Sequence, residues 1–102
     1  MKEKRILLTA IGSFSARAII KRLKELGFFV FGMDCYPKEW VVNAALVDGF
    51  IQVPLVSKEE YYEEACFSIV ENRGIDAIFP LTDIEVDYFY KNRKKYEEKG
   101  QV

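Results

Sequence analysis

The sequence predicts a Rossmann-like α/β fold, a three-layer sandwich with a parallel sheet of about four strands in the order 3-2-1-4 and helices on both faces. Three observations carry this expectation. Short apolar runs alternate with stretches whose apolar residues recur at helical spacing, the pattern of βαβ units. The runs are continuous in apolar residues, as in strands covered on both sides. Right-handed crossovers then restrict the topology, and 3-2-1-4 is the order of a Rossmann-like half.

Each element follows from the residues. Arg5–Ala10 is a buried strand, an apolar run after a charged start. From Ser15 to Leu26, the residues Ala16, Ile19, Ile20, Leu23 and Leu26 recur at helical spacing, and Gly27 sits where a C-terminal cap belongs. Phe28–Met33 is a second strand, closed by Asp34. Tyr36-Pro37 breaks the chain, and Trp40–Val47 is a short helix. Phe50–Val53 is a third strand before Pro54. Ser57-Lys-Glu-Glu60 matches a capping box. The helix it opens carries Tyr62, Ala65, Cys66, Ile69 and Val70 on one face and ends near Gly74. Asp76–Pro80 is the fourth strand. A last helix runs from about Asp83 to Lys99, with Val86, Phe89, Tyr90 and Arg93 on one side and Gly100 as its stop.

Composition narrows the function. With 102 residues, half of them hydrophobic, the chain is one domain, 1–102, that can bury a core. Fifteen basic and sixteen acidic residues give a net charge of −1, with no basic excess for nucleic acid. No apolar stretch approaches the roughly 20 residues that span a bilayer. The basic start "MKEKR" precedes an apolar run too short for a signal peptide. There is no histidine, and Cys35 and Cys66 lie in unrelated segments, which excludes a zinc site, a Cys–His pair and a Ser–His–Asp triad. Both cysteines read as plain core thiols, and a reduced, cytoplasmic protein is the expectation.

A 3-2-1-4 sheet reverses direction between strands 1 and 4, and ligands bind beyond the carboxyl ends of strands at such a switch point. The two loops there are "AIGSFS" and "PLTDIE". The first compares poorly with the GxGxxG dinucleotide fingerprint. Its three glycine positions read Ala10, Gly12 and Ser15, so only the middle one is kept. Asp34 stands where a ribose-binding carboxylate would, the best single argument for NAD. Anion or small-molecule contact at Gly12, Ser13, Phe14 and Ser15, through a helix N-terminus, is a second reading, and a purely structural turn a third. In the other loop Thr82 and Glu85 form a capping box and Asp83 suits the positive end of a helix, yet their place at the switch point keeps all three as candidates. Tyr36 and Trp40 either close the end of the core or wall a pocket. "KNRKK", from Lys91, is a solvated helix face.

"RILLTAIGSFSARAIIKRLKELG", "DCYPKEW", "VDGFIQVPLVSKEEY" and "IDAIFPLTDIEVDYFYKNRKKYEEKG" follow one another in a familiar order. The ordered set resembles the N-terminal, pre-ATP-grasp domain of carbamoyl-phosphate-synthase-like ligases over nearly the whole chain. The resemblance implies a Rossmann-like unit that closes one side of a ligase site and contributes substrate contacts from loops at its strand ends. By position those loops are Gly12–Ser15, Asp34 and Thr82–Glu85. It also implies that ATP and magnesium bind in a later ATP-grasp region, which supplies the phosphate-binding lysines and metal-binding acids. No catalytic or metal-ligating residue and no cofactor is therefore expected in this chain, and the chain alone is expected to be inactive.

The partners expected on this reading are a small-molecule substrate and the missing ATP-grasp region, on the same or a companion chain. Gly100-Gln101-Val102 reads as a helix stop and the start of another strand, so the chain is expected to be a piece of something longer or to complete its sheet with a partner. Two competing readings remain. One is an NAD-type dinucleotide module using Gly12 and Asp34, and the other is an interaction protein that dimerises through the edge of strand 4.

Overall fold

A computed structural model describes residues 4–98. The order is β1 (Arg5–Leu8), α1 (Ala16–Glu25), β2 (Phe29–Asp34), two 3-10 turns (Lys38–Trp40 and Val42–Ala45), β3 (Gly49–Gln52), α2 (Glu59–Arg73), β4 (Ala77–Phe79), α3 (Asp83–Lys91) and α4 (Arg93–Glu97). The four strands are parallel and ordered β3-β2-β1-β4, the predicted Rossmann-like topology.

Alternation along the strands sorts side chains into two cores. Ile6, Leu8 and Val30 face α1 and the 3-10 turns, where they meet Ala16, Ile20, Val41 and Ala44. Leu7, Phe31 and Met33 face the other way, against Tyr62, Cys66, Ile69 and Val70 of α2, Tyr88 of α3 and Tyr96 of α4. Helices thus cover both faces, which is why the central strands are apolar throughout. Gly32 has no room for a side chain, since a Cβ would lie 2.6 Å from Ile11 Cδ1 and 3.0 Å from Val47 Cγ1. Gly27 takes φ +91° after α1, and the amides of Gly27 and Phe28 bond back to Lys24 and Leu23, the Schellman stop expected of a glycine there.

Five expectations are corrected. The first strand ends at Leu8 because Ala10 turns into the left-handed region at φ 49°. Trp40–Val47 is not one helix, because Val41 is extended between two 3-10 turns and buries its side chain. The Ser57 capping box is absent. Instead α2 starts at Glu59 with Lys58 as an N-cap that makes no side-chain bond, and Glu59 and Glu60 face the helix's positive end.

The last helix is split at Asn92, whose side-chain amide donates to the Tyr88 carbonyl at 2.8 Å. Its buried face is also one residue out of step with the predicted one. Val86, Tyr90 and Arg93 are exposed, while Glu85, Tyr88 and Tyr96 are buried and Phe89, as predicted, packs partly buried against the core. The break lets Tyr96 reach Tyr88, and their hydroxyls lie 2.8 Å apart. The predicted end of this helix at Lys99 and Gly100, and the strand start after it, lie outside the described residues.

The core facing α2 holds protons tightly. Burial pushes the Cys66 thiol from its ordinary 9.0 up to about 12. Burial likewise raises Tyr62, Tyr88 and Tyr96 above the usual 10.0. In the unfolded chain these groups ionise at ordinary values, so above those values the unfolded state binds fewer protons than the folded one. The stabilisation is whole below pH 9.0 and is lost as pH rises, first through Cys66 and then, past 10.0, through the tyrosines. Urea titrations should show the midpoint falling from about pH 9 to about pH 11 at constant slope, with Cys66→Ala making the fall between about pH 9 and pH 10 shallower. A flat profile would contradict this assignment.

Candidate functional site

The carboxyl ends of the strands surround a crevice of about 220 Å³ at the switch point between β1 and β4. Ala10 lines it from the loop after β1, Asp34 and Cys35 from the end of β2, and Val53 to Val56 from the segment after β3. Thr82, Ile84 and Glu85 line it from the start of α3, and Tyr62 from α2.

Asp34 holds the β1 side together. It is buried, and its Oδ2 accepts the Gly12 amide at 2.8 Å while Oδ1 accepts the Tyr36 amide at 3.2 Å. Its backbone carbonyl accepts the Val53 amide at 2.9 Å. One residue therefore pins three loops. Both carboxylate oxygens are already engaged within the chain, and a Cβ on Gly12 would lie 2.9 Å from Oδ2. The close approach that the middle glycine permits is to Asp34, where a dinucleotide loop would approach a pyrophosphate. The position of the first fingerprint glycine is filled by Ala10, which takes a left-handed conformation despite its Cβ.

The α3 side is built on Thr9 and Thr82. Thr9, fully buried at the end of β1, accepts the Leu81 amide at 3.0 Å and fixes the loop after β4. Thr82 caps α3 by accepting the Glu85 amide at 3.3 Å. In the usual capping box the glutamate returns to a backbone amide. Here Glu85 turns into the protein, accepting the Thr82 hydroxyl on Oε1 at 2.9 Å and the Tyr62 hydroxyl on Oε2. The bond to Tyr62 ties α2 to α3 across the back of the crevice.

Three candidates from the sequence, Asp34, Thr82 and Glu85, thus line one cavity. The others do not. Gly12, Phe14 and Ser15 are exposed on the turn before α1, and Phe14 is entirely in solvent. Ser13 is half-buried with its hydroxyl lacking a partner among the described residues. Ser15 is the N-cap of α1 without a side-chain bond, and Asp83 is exposed in the first turn of α3.

Tyr62, Cys35 and Ile84 are lining residues that sequence reasoning left out. A polar-tipped ring on the apolar face of α2 needs a buried partner, and shifting the α3 face by one residue would have offered Glu85. Cys35 is no nucleophile. Burial and the negative charges of Asp34 and Glu85 raise its thiol above the ordinary 9.0, so it stays protonated near neutrality.

The lining contains two carboxylates and no lysine or arginine. It offers a phosphate no counter-charge. Among the described residues no group of three or more His, Cys, Asp or Glu side chains converges as a metal site. No helix among them is long and apolar enough to cross a membrane.

Removing Asp34 tests the loop-pinning role. Asp34→Ala leaves the Gly12 and Tyr36 amides without their acceptor and should lower stability by about 2–4 kcal/mol, read as a lower urea midpoint. A change under about 0.5 kcal/mol would show that the loops hold without it.

No curated protein matches the chain. Residues 6–102 match the family described as PylC-like, N-terminal domain. That match, nearly the length of the chain, agrees with the 3-2-1-4 sheet and its carboxyl-end crevice. The chain belongs to the PylC-like N-terminal domain family, the pre-ATP-grasp domain of ATP-grasp ligases.

Proposed function

We propose that this domain is the substrate-side wall of an ATP-dependent ligase resembling the carbamoyl-phosphate synthase large subunit, binding and orienting without catalysing on its own. The supporting observation is the charge of the crevice. A pocket lined by Asp34 and Glu85, with no cationic side chain, disfavours the triphosphate of ATP and suits a small substrate bearing an amine or a neutral polar group. Thr82 and Glu85 would make the polar contacts, with Ile84, Leu55 and Val56 as apolar walls. The turn at Gly12, Ser13, Phe14 and Ser15 and the exposed Asp83 flank this end of the sheet as its rim. ATP and magnesium belong on this reading to an ATP-grasp region, of the same or a companion chain, which is the domain's working partner in the cytoplasm. That region forms the acyl phosphate.

The dinucleotide reading has less in its favour, because Gly12, the one fingerprint glycine kept, gives its amide to Asp34 where a pyrophosphate would need it.

In the complete ligase, Glu85→Gln should raise the KM of the non-nucleotide substrate about tenfold and leave the KM of ATP unchanged, the cost of weakening one charged hydrogen bond. In the isolated chain, magnesium–ATP and NAD should leave the amide resonances of Asp34, Cys35, Thr82 and Glu85 in place. Saturable shifts of those amides with either nucleotide, abolished in Asp34→Asn, would reverse the assignment.

A further inference from the structure

Away from the crevice, α1 and the chain at Leu46 enclose a second hollow, a groove of about 550 Å³. It is lined by Arg17, Ile20, Lys21, Lys24, Glu25 and Leu46 and shares no residue with the crevice. Arg17, Lys21 and Lys24 stand at i, i+4 and i+7, so one face of the helix holds all three cations. Lys24 is engaged. Its ammonium donates to Asp48 Oδ1 at 3.1 Å and to the Leu46 carbonyl at 3.5 Å, which ties the two walls together. Glu25, the one carboxylate of the lining, lies 4.0 Å from Arg22, a residue outside it. Arg17 and Lys21 are exposed, and neither has an acidic partner among the described residues. Like charges four residues apart destabilise a helix. Elsewhere on the surface Arg93 has Glu97 at that spacing, 2.8 Å away, and Lys91 and Lys95 reach Glu59 and Glu63 of α2. A local conflict left without compensation is the pattern of a functional position.

We propose that this groove binds a small organic phosphomonoester, its dianion between Arg17 and Lys21 and its carbon body against Leu46. Two cations without counter-ions match the charge of about −1.5 to −2 that such a phosphate carries at pH 7. Residues four apart on a helix have Cβ atoms about 5–6 Å from each other, so both side chains can close on one phosphate. Arg17 brings a fork of N–H donors suited to two phosphate oxygens at once. Half-buried Leu46 and the aliphatic stems of the cations supply the apolar wall. The volume is in the range of small-molecule sites. From Arg17 to Lys24 the helix rises only about 10 Å, a length that suits a small ligand. With a net charge of −1, the chain has no wide positive field to draw nucleic acid or a membrane surface. The crevice offers a phosphate no counter-charge, so the two hollows take ligands of opposite character.

Phenyl phosphate, which joins a phosphate to an apolar ring, is the probe, titrated into the chain at constant ionic strength and followed by amide resonances. Saturable shifts at Lys21, Lys24 and Leu46 are expected, with a dissociation constant at least about tenfold below that of inorganic phosphate. Arg17→Ala and Lys21→Ala, both at exposed helix positions, should each weaken binding about tenfold. Arg22→Ala removes the same charge from the same helix outside the lining and should leave binding unchanged. Circular dichroism checks that the three variants remain folded. An equal loss in Arg22→Ala would show general attraction to a basic helix and overturn the site. Shifts that never saturate, or that survive in folded Arg17→Ala and Lys21→Ala, overturn it too. Inorganic phosphate binding as tightly as the ester overturns the organic ligand. Tighter binding of hexaglutamate at the same amides would give the groove to an acidic protein segment instead.

Discussion

The two central strands, β1 and β2, are buried on both faces, and most of the molecule follows from that constraint. Strands so placed must be apolar throughout, so neither face can carry polar chemistry. Their polar requirements move to their ends. There Thr9 and Asp34, buried with the strands, satisfy the amides of the loops that turn away. A parallel sheet gathers those ends on one side, and the crevice is the gap left where the loops after β1 and β4 diverge.

That origin explains the character of the crevice. Its charged groups, Asp34 and Glu85, are acceptors set to receive backbone amides and hydroxyls, so the charge of the crevice is carried by oxygens and not by cations. A nucleotide loop at the same place in such a sheet would offer free amides and glycines to a phosphate. Here Gly12 gives its amide to Asp34, and the turn before α1 is organised around its own carboxylate. Membership in the pre-ATP-grasp family is consistent with a Rossmann-like scaffold kept for its shape.

The layers, the strand order and the switch point were legible because they rest on periodicity and handedness, which a sequence carries directly. Asp34, Thr82 and Glu85 could be placed at one end of the sheet on topology alone. What the sequence concealed was the direction of side chains. Glu85 in a capping box has an obvious local partner, and nothing in the spacing indicates that Tyr62, from a helix 23 residues away, will compete for it. The same blindness put the buried face of α3 on Val86 and Tyr90. A helix of mixed aromatics and acids offers two plausible faces, and the choice was made by a hydrogen bond between distant segments. The Ser57 box failed for the complementary reason, since a local match does not oblige the helix to begin there.

The bonds that Thr82 and Tyr62 make to Glu85 bear on how this wall would meet a ligand. A free glutamate on a surface loses roughly 1.5–2 kcal/mol of rotamer freedom when a contact immobilises it. Glu85 has undergone that loss during folding, with its carboxylate already stripped of most of its water. A group entering the crevice therefore encounters an acceptor that neither searches for it nor must be dehydrated afresh. Selectivity would then come from fit to a fixed geometry, and a ligand displaced from that position could not draw the side chain after it.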